Sequence, residues 1–196
     1  MDIIKKLAQE LTIKEEQAKA AVQLIDEGNT IPFIARYRKE MTGALNDETL
    51  RNLHERLLYL RNLEEKKEQV INAITEQGKM TDDLKKKILA AETLVAVDDL
   101  YRPYRPKKQT RATKAKEKGL EPLANILLLQ ATSKSMEEEA QSFVDEAKGV
   151  TNAKEALAGA KDIIAEMIAD KADYRKSIRN CTMKQGRLVV KAKDEK

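Results

Sequence analysis

The chain has a single imidazole, His54, and a single thiol, Cys181, and these bound the chemistry available to it. His54 lies inside a long apolar-periodic stretch, between Leu53 and Glu55, where a solvated or helix-packed ring is expected rather than a general base. Zinc needs several His or Cys ligands at short spacing, and the sequence has neither an HxxxH nor a CxxC pair. Nor is there a GxxxxGK[ST] or GxGxxG stretch to cradle phosphates, so neither cofactor nor metal is expected. Among the carboxylates, Asp98 and Asp99 are adjacent, while Asp162, Glu166 and Asp170 recur every four residues. That spacing puts the three on one helix face, which suits either a divalent cation or, as the expected reading, a solvated face supported by lysines. No nucleophile is paired with a base, and the expectation is a chain that is not an enzyme.

The charge distribution carries more information than its sum. From Arg102 to Lys118 eight cations stand against one acid, Glu117, a net +7 in a chain whose total is +4. The rest of the chain therefore sums to −3, and the whole positive excess is local. Arg102, Arg105, Lys107, Lys108, Arg111 and Lys114 are the candidate phosphate contacts, with Tyr101 or Tyr104 as a stacking face. Pro103 and Pro106 are expected to hold the start of this segment extended, and Thr110 to cap a helix whose N-terminus favours phosphate. The competing reading is a solvated connector whose arginines pair with acids such as Asp98 and Asp99. A secondary basic cluster, Arg36, Arg38 and Lys39, closes the Ile31–Ala35 helix, where cations complement the macrodipole.

The elements that must position these residues are helices. Apolar residues recur at spacings of three and four, and glycines 28, 43, 78, 119, 149 and 186 fall where helices should stop. The predicted helices are 2–10, 14–27, 31–38, 47–77, 82–92, 94–101, 111–118, 121–131, 135–147, 152–170 and 172–183. Thr12 with Glu15, and Asn152 with Glu155, read as capping pairs. The long helix carries Leu50, Leu53, Leu57, Leu60, Ile71 and Ile74 on a seam interrupted by Glu64 and Lys67, which favours packing on neighbours over a dimeric coiled coil. Arg187–Lys193 alternates as a short strand with no partner in the chain. Residues 14–38 outline a helix-turn-helix, but Ile31, Pro32, Phe33 and Ile34 belong in a core rather than on a base-reading face, which disfavours a sequence-specific repressor.

The fold expectation is all-α: a multi-helix assembly with a helix-turn-helix-like element, one long helix and a terminal strand truncated from a further domain. The expected domains are 1–80, 81–186 with the basic segment, and 187–196 as the start of that further domain. One thiol excludes an intrachain disulfide, no apolar leader opens the chain, and its apolar runs are too short to span a bilayer. A cytoplasmic protein with no membrane partner is expected.

Four stretches resemble a known family. Ile31-Pro32-Phe33-Ile34-Ala35-Arg36-Tyr37-Arg38-Lys39-Glu40 with Thr42-Gly43 is similar to the signature of bacterial Tex-type transcription accessory proteins. Asp99–Lys108, Gly119–Ala124 and Ala156–Glu166 resemble three further landmarks, in the family's order. The resemblance implies that an RNase-H-like domain, helix-hairpin-helix elements and an OB-type RNA-binding domain lie beyond position 196. It also implies a role linked to transcription, because the family is similar to a eukaryotic elongation factor that travels with RNA polymerase. The expected function is a non-enzymatic N-terminal module contributing sequence-independent binding of RNA or DNA. The alternative is a scaffold that braces the other domains of the full-length protein or contacts RNA polymerase.

Overall fold

A computed structural model describes residues 2–106, 109–130 and 132–190. Among them are twelve α-helices: α1 (Ile3–Leu11), α2 (Glu15–Asp26), α3 (Ile31–Tyr37), α4 (Lys39–Thr42), α5 (Asp47–Glu76), α6 (Asp82–Ala90), α7 (Leu94–Tyr101), α8 (Arg111–Glu117), α9 (Glu121–Leu129), α10 (Met136–Gln141), α11 (Ala153–Ala169) and α12 (Ala172–Gln185). The chain is all-α, and no strand forms among the described residues. Residues 187–190 are extended without a ladder partner, and the rest of the expected strand, 191–193, lies outside the described residues.

Two compact units divide inside α7, residues 1–97 and 98–196. In the first, α1, α2 and α3 cover the N-terminal half of α5. Leu7, Ala18, Ala21, Leu24 and Ile34 close over Leu50, Leu53, Leu57 and Leu60, all almost fully buried. At 30 residues α5 is about 45 Å long. Its seam continues without a break through Leu63, Lys67, Val70 and Ile74, all buried, while Ile71 lies half-buried beside it. Lys67 is therefore part of the packing. Its side chain is 3% exposed, and its ammonium donates to Glu64 at 2.8 Å and to the Leu89 carbonyl at 2.9 Å, which satisfies a backbone acceptor near the end of α6. Burial pulls the Glu64 carboxyl up, but the hydrogen bond from Lys67 helps hold it below the ordinary value. Tyr59, whose hydroxyl accepts the Leu94 N–H at 3.2 Å, extends this unit into the start of α7.

Helix starts follow side-chain chemistry. Asn46 accepts from the Thr49 N–H at 2.7 Å and Asn152 from the Glu155 N–H at 2.9 Å. Thr12 departs from its expected role. It takes a left-handed φ of 55° and ends α1, and Lys14 caps α2, its N–H donating to the Gln17 side chain at 3.1 Å. Gln17 also donates to the carbonyls of Thr42 and Gly43 at 3.2 and 3.0 Å. Gly43 takes φ +60°, where an L side chain is strained, and a Cβ there would stand 2.6 Å from that amide and displace it.

In the second unit Ala112, Ala115, Leu120, Leu123, Ala124, Ala140, Val150, Ala156, Ala160 and Ile163 form the core. Small residues dominate the facing surfaces of α8 and α11, so the two helices approach closely. The helix expected over 135–147 stops at Gln141. Asp145 pairs with Val150 through two backbone bonds of 3.0 and 2.9 Å, and its carboxylate accepts from the Ala147 and Lys148 N–H groups. The resulting turn carries Val150 into the core at 1% exposure, which a continued helix would not do.

Candidate nucleic-acid interface

The basic segment follows α7 and runs along α11. Pro103 does not extend the chain. It falls in the first turn of a 3-10 helix, Arg102–Tyr104, where its missing N–H costs nothing. Arg105, before Pro106, is extended, at φ −65° and ψ 133°. Thr110 caps α8 as expected: its hydroxyl accepts the Thr113 N–H at 3.1 Å, and the Thr113 hydroxyl accepts the Thr110 N–H at 2.7 Å. The Thr110 hydroxyl then donates to Glu166 at 3.0 Å, so this helix start already faces a carboxylate.

The carboxylates spaced four apart on α11 are what the segment rests on. Arg102 pairs with Asp170 at 3.0 Å and Arg111 with Asp162 at 3.4 Å, with Glu166 bonded to Thr110 between them. Arg105 pairs with Asp98 at 2.9 Å and places its guanidinium carbon 5.5 Å from the centroid of the Tyr101 ring. Lys116 reaches Glu121 at 3.2 Å, and Lys118 donates to the Gly149 carbonyl at 2.7 Å. Arg102, Arg105, Pro106, Thr110, Glu166, Ala169 and Asp170 line an open cleft of about 280 Å³. Of the six candidate contacts, Arg102, Arg105 and Arg111 thus have carboxylate partners and Lys114 is exposed, while Lys107 and Lys108 lie outside the described residues. No group of three His, Cys, Asp or Glu side chains able to hold a metal ion occurs among the described residues.

Asp99 is legible in the sequence as a partner for arginine, but its partners are not the arginines next to it. It is 5% exposed and bridges two residues of α12, accepting from Arg175 Nε at 2.7 Å and from Arg179. Burial raises its carboxyl pKa, and the two guanidinium hydrogen bonds more than offset this, holding it below the ordinary value. Arg175 and Arg179 stand four apart, one helical turn, and that spacing is the signal that could have found them. In the first unit Arg36, Arg38 and Lys39 are exposed around the junction of α3 and α4, with Arg38 as the residue that ends α3. Ile34 is buried and Ile31 half-buried, but Pro32 and Phe33 are exposed, contrary to their expected place in a core.

No helix among the described residues is long and apolar enough to cross a membrane. Residues 1–75 match the Tex-like protein N-terminal domain and residues 131–196 the Tex central region-like domain. The chain is 47% identical over 180 residues to the transcriptional accessory protein Tex of Neisseria gonorrhoeae, covering 92% of this chain and 23% of that protein. It is 48% identical over 192 residues to protein YhgF of Escherichia coli, covering 96% and 25%. To the human S1 RNA-binding domain-containing protein 1 it is 32% identical over 186 residues, covering 94% and 18%. The chain thus spans about a quarter or less of the length of these relatives. Two family models in sequence order, on a helical framework whose signature residues shape both units, lead to one assignment: the chain belongs to the Tex-like protein family.

Proposed function

We propose that this module acts in transcription as a non-enzymatic part of a Tex-like accessory protein, and that it contacts RNA or DNA through phosphates without reading sequence. The observation that carries the reading is the +7 concentrated between Arg102 and Lys118, on a path pinned by the carboxylates of α11. Pinning does not exhaust an arginine. A guanidinium has five N–H donors, and the Arg111 side chain remains 87% exposed beside its single 3.4 Å contact. Lys107, Lys108, Lys114 and Lys118 against Glu117 still leave +3 once the four pairs of Arg102, Arg105, Arg111 and Lys116 are discounted. A held cation also loses less freedom on binding than a mobile one. The relatives' names point the same way: one is a transcriptional accessory protein and another is named for an RNA-binding domain.

Anisotropy of labelled single-stranded RNA and of duplex DNA, across a salt series, tests the reading. The comparison is with a chain carrying Arg105→Gln, Lys107→Gln, Lys108→Gln and Arg111→Gln. Affinity should fall steeply with salt, and the variant should lose about 0.7–0.9 of log–log slope per contact removed. Absence of binding at low salt favours a second reading, a brace for other domains or for RNA polymerase. The ion pairs to α11 support that reading, as does the apolar surface left exposed on α12 at Tyr174 and Ile178.

A further inference from the structure

The junction of α3 and α4 carries an exposed aromatic surface among cations that have no carboxylate partner among the described residues. Within α3 only Ile34 is fully buried. Phe33 and Tyr37, one turn apart, are 36% and 65% exposed, and Met41 is 50% exposed. The two rings lie with centroids 5.3 Å apart at 45°, and the Arg38 guanidinium carbon stands 5.1 Å from the Phe33 centroid. Arg38 also donates to the Tyr37 carbonyl at 3.3 Å, which fixes the guanidinium over the ring. Arg36, Arg38 and Lys39 make no ion pair among the described residues, whereas three arginines of the basic segment each have one. Between Phe33 and Met41 these three cations face one acid, Glu40.

We propose that Phe33, Tyr37, Arg36, Arg38 and Lys39 form a stacking platform for the unpaired bases of single-stranded nucleic acid. The chemistry selects this occupant in two steps. The Tyr37 ring, 65% exposed, and the flat Arg38 guanidinium held over Phe33 offer stacking faces to a nucleobase, and stacking of this kind tolerates any sequence. Three cations against one acid around the rings then complement the phosphate backbone that carries the bases. A duplex keeps its bases stacked on one another and cannot present them to Tyr37. This site lies in a different unit from the basic segment and requires bases, whereas the segment requires only phosphates.

The test uses the whole 196-residue chain and three labelled probes: an oligouridylate, an abasic oligomer of the same length, and a duplex. The oligouridylate should bind more tightly than either of the others, and Tyr37→Ala should weaken it about tenfold while Tyr37→Phe retains it. Binding of the abasic oligomer should not change with Tyr37→Ala. Equal affinity of wild type and Tyr37→Ala for oligouridylate, or equal binding of the abasic oligomer and oligouridylate by the wild type, overturns the proposal. Photocrosslinking of the wild-type chain to a thiouridine-containing strand needs no variant. Adducts on Phe33 or Tyr37 are expected, and adducts confined to 102–118 overturn the platform. If the fourfold Gln variant loses all binding while Tyr37→Ala loses none, the phosphate reading stands and this one falls. If only Tyr37→Ala loses binding, the outcome is reversed.

Discussion

Replacing Gly159 by alanine sets two forces of known size against each other. Gly159 lies inside α11, where alanine is favoured over glycine by about 0.8–1.0 kcal/mol from backbone entropy alone. An added Cβ would stand 2.4 Å from Leu120 Cδ1 and 3.2 Å from the Ala115 Cβ. The leucine terminus can turn away, but Leu120 is 2% exposed and must turn within a packed core. Ala115 cannot turn at all, since its Cβ moves only with the backbone of α8. Overpacking of this kind costs about 1–3 kcal/mol, so the net change should be a destabilisation near 1 kcal/mol, opposite in sign to propensity. A unit of this size should then melt about 4–8 °C lower.

Urea and thermal unfolding followed by far-UV circular dichroism read this directly, with the transition of the second unit as the one that moves. Ala158→Gly, on the exposed face of the same helix, calibrates the propensity term at about 1 kcal/mol of loss. Adding Ala115→Gly to Gly159→Ala should restore stability beyond the sum of the single changes, because the two Cβ atoms no longer meet. A Gly159→Ala chain more stable than wild type by about 1 kcal/mol would refute the close approach of α8 and α11.

Four further outcomes are expected. Asp99→Asn should destabilise the second unit by about 2–3 kcal/mol, leaving Arg175 and Arg179 without their shared anion; Arg175→Gln should cost less because Arg179 still pairs, and the reverse order in urea titrations would contradict the bridge. Lys67→Met should cost less than Lys67→Ala, measured by thermal melting, since methionine refills the seam and Glu64 is 30% exposed and can be hydrated. Acid should unfold the chain below the ordinary carboxylate values of 3.8 and 4.5: Glu10 is held down chiefly by the hydrogen bond from Arg56, Asp26 by that from Arg61, and Asp99 by its arginines against burial. Depressed folded values mean that this stabilisation is complete above the ordinary values and is lost as pH falls from them through the lower folded values, so Asp26→Asn with Glu10→Gln should flatten the acid limb. Asp162→Asn with Asp170→Asn should tighten binding of single-stranded RNA at low salt, since each removes an anion that competes with phosphate for Arg111 or Arg102; weaker binding would mean that the carboxylates are needed to shape the site.

Periodicity exposes most of the framework, because a helix that must bury one stripe writes that stripe into its spacing. The bounds of α5 and α7 are legible to within one residue. Where spacing misleads, a partner distant in sequence is responsible. Lys67 reads as a break in the seam because its hydrogen-bond acceptor, the Leu89 carbonyl, lies 22 residues away. Thr12 carries the residue type of an N-cap, yet Gln17 serves both the Lys14 N–H and the turn at Gly43, which fixes the start of α2 two residues later. Phe33 looks like core on hydrophobicity alone. Its exposure depends on which side of α3 Ile34 turns toward α5, and that is decided in three dimensions.

Charge runs are the sharpest case of the same difficulty, since a sum over sequence says nothing about neutralisation in space. Arg102–Lys118 holds the whole positive excess, but the acid row on α11, more than forty residues later, meets it side chain to side chain. Among the described residues the shorter cluster at Arg36, Arg38 and Lys39 has no such row opposite it, and it adjoins the exposed Tyr37 ring. Pairing therefore changes the relative standing of the two sites. The segment with the larger formal charge is partly committed to holding its own unit together, and an incoming phosphate must compete there with Asp162 and Asp170 for the same guanidinium groups. At the smaller cluster no described carboxylate competes, so each cation is available at full charge to a strand whose bases rest on Tyr37.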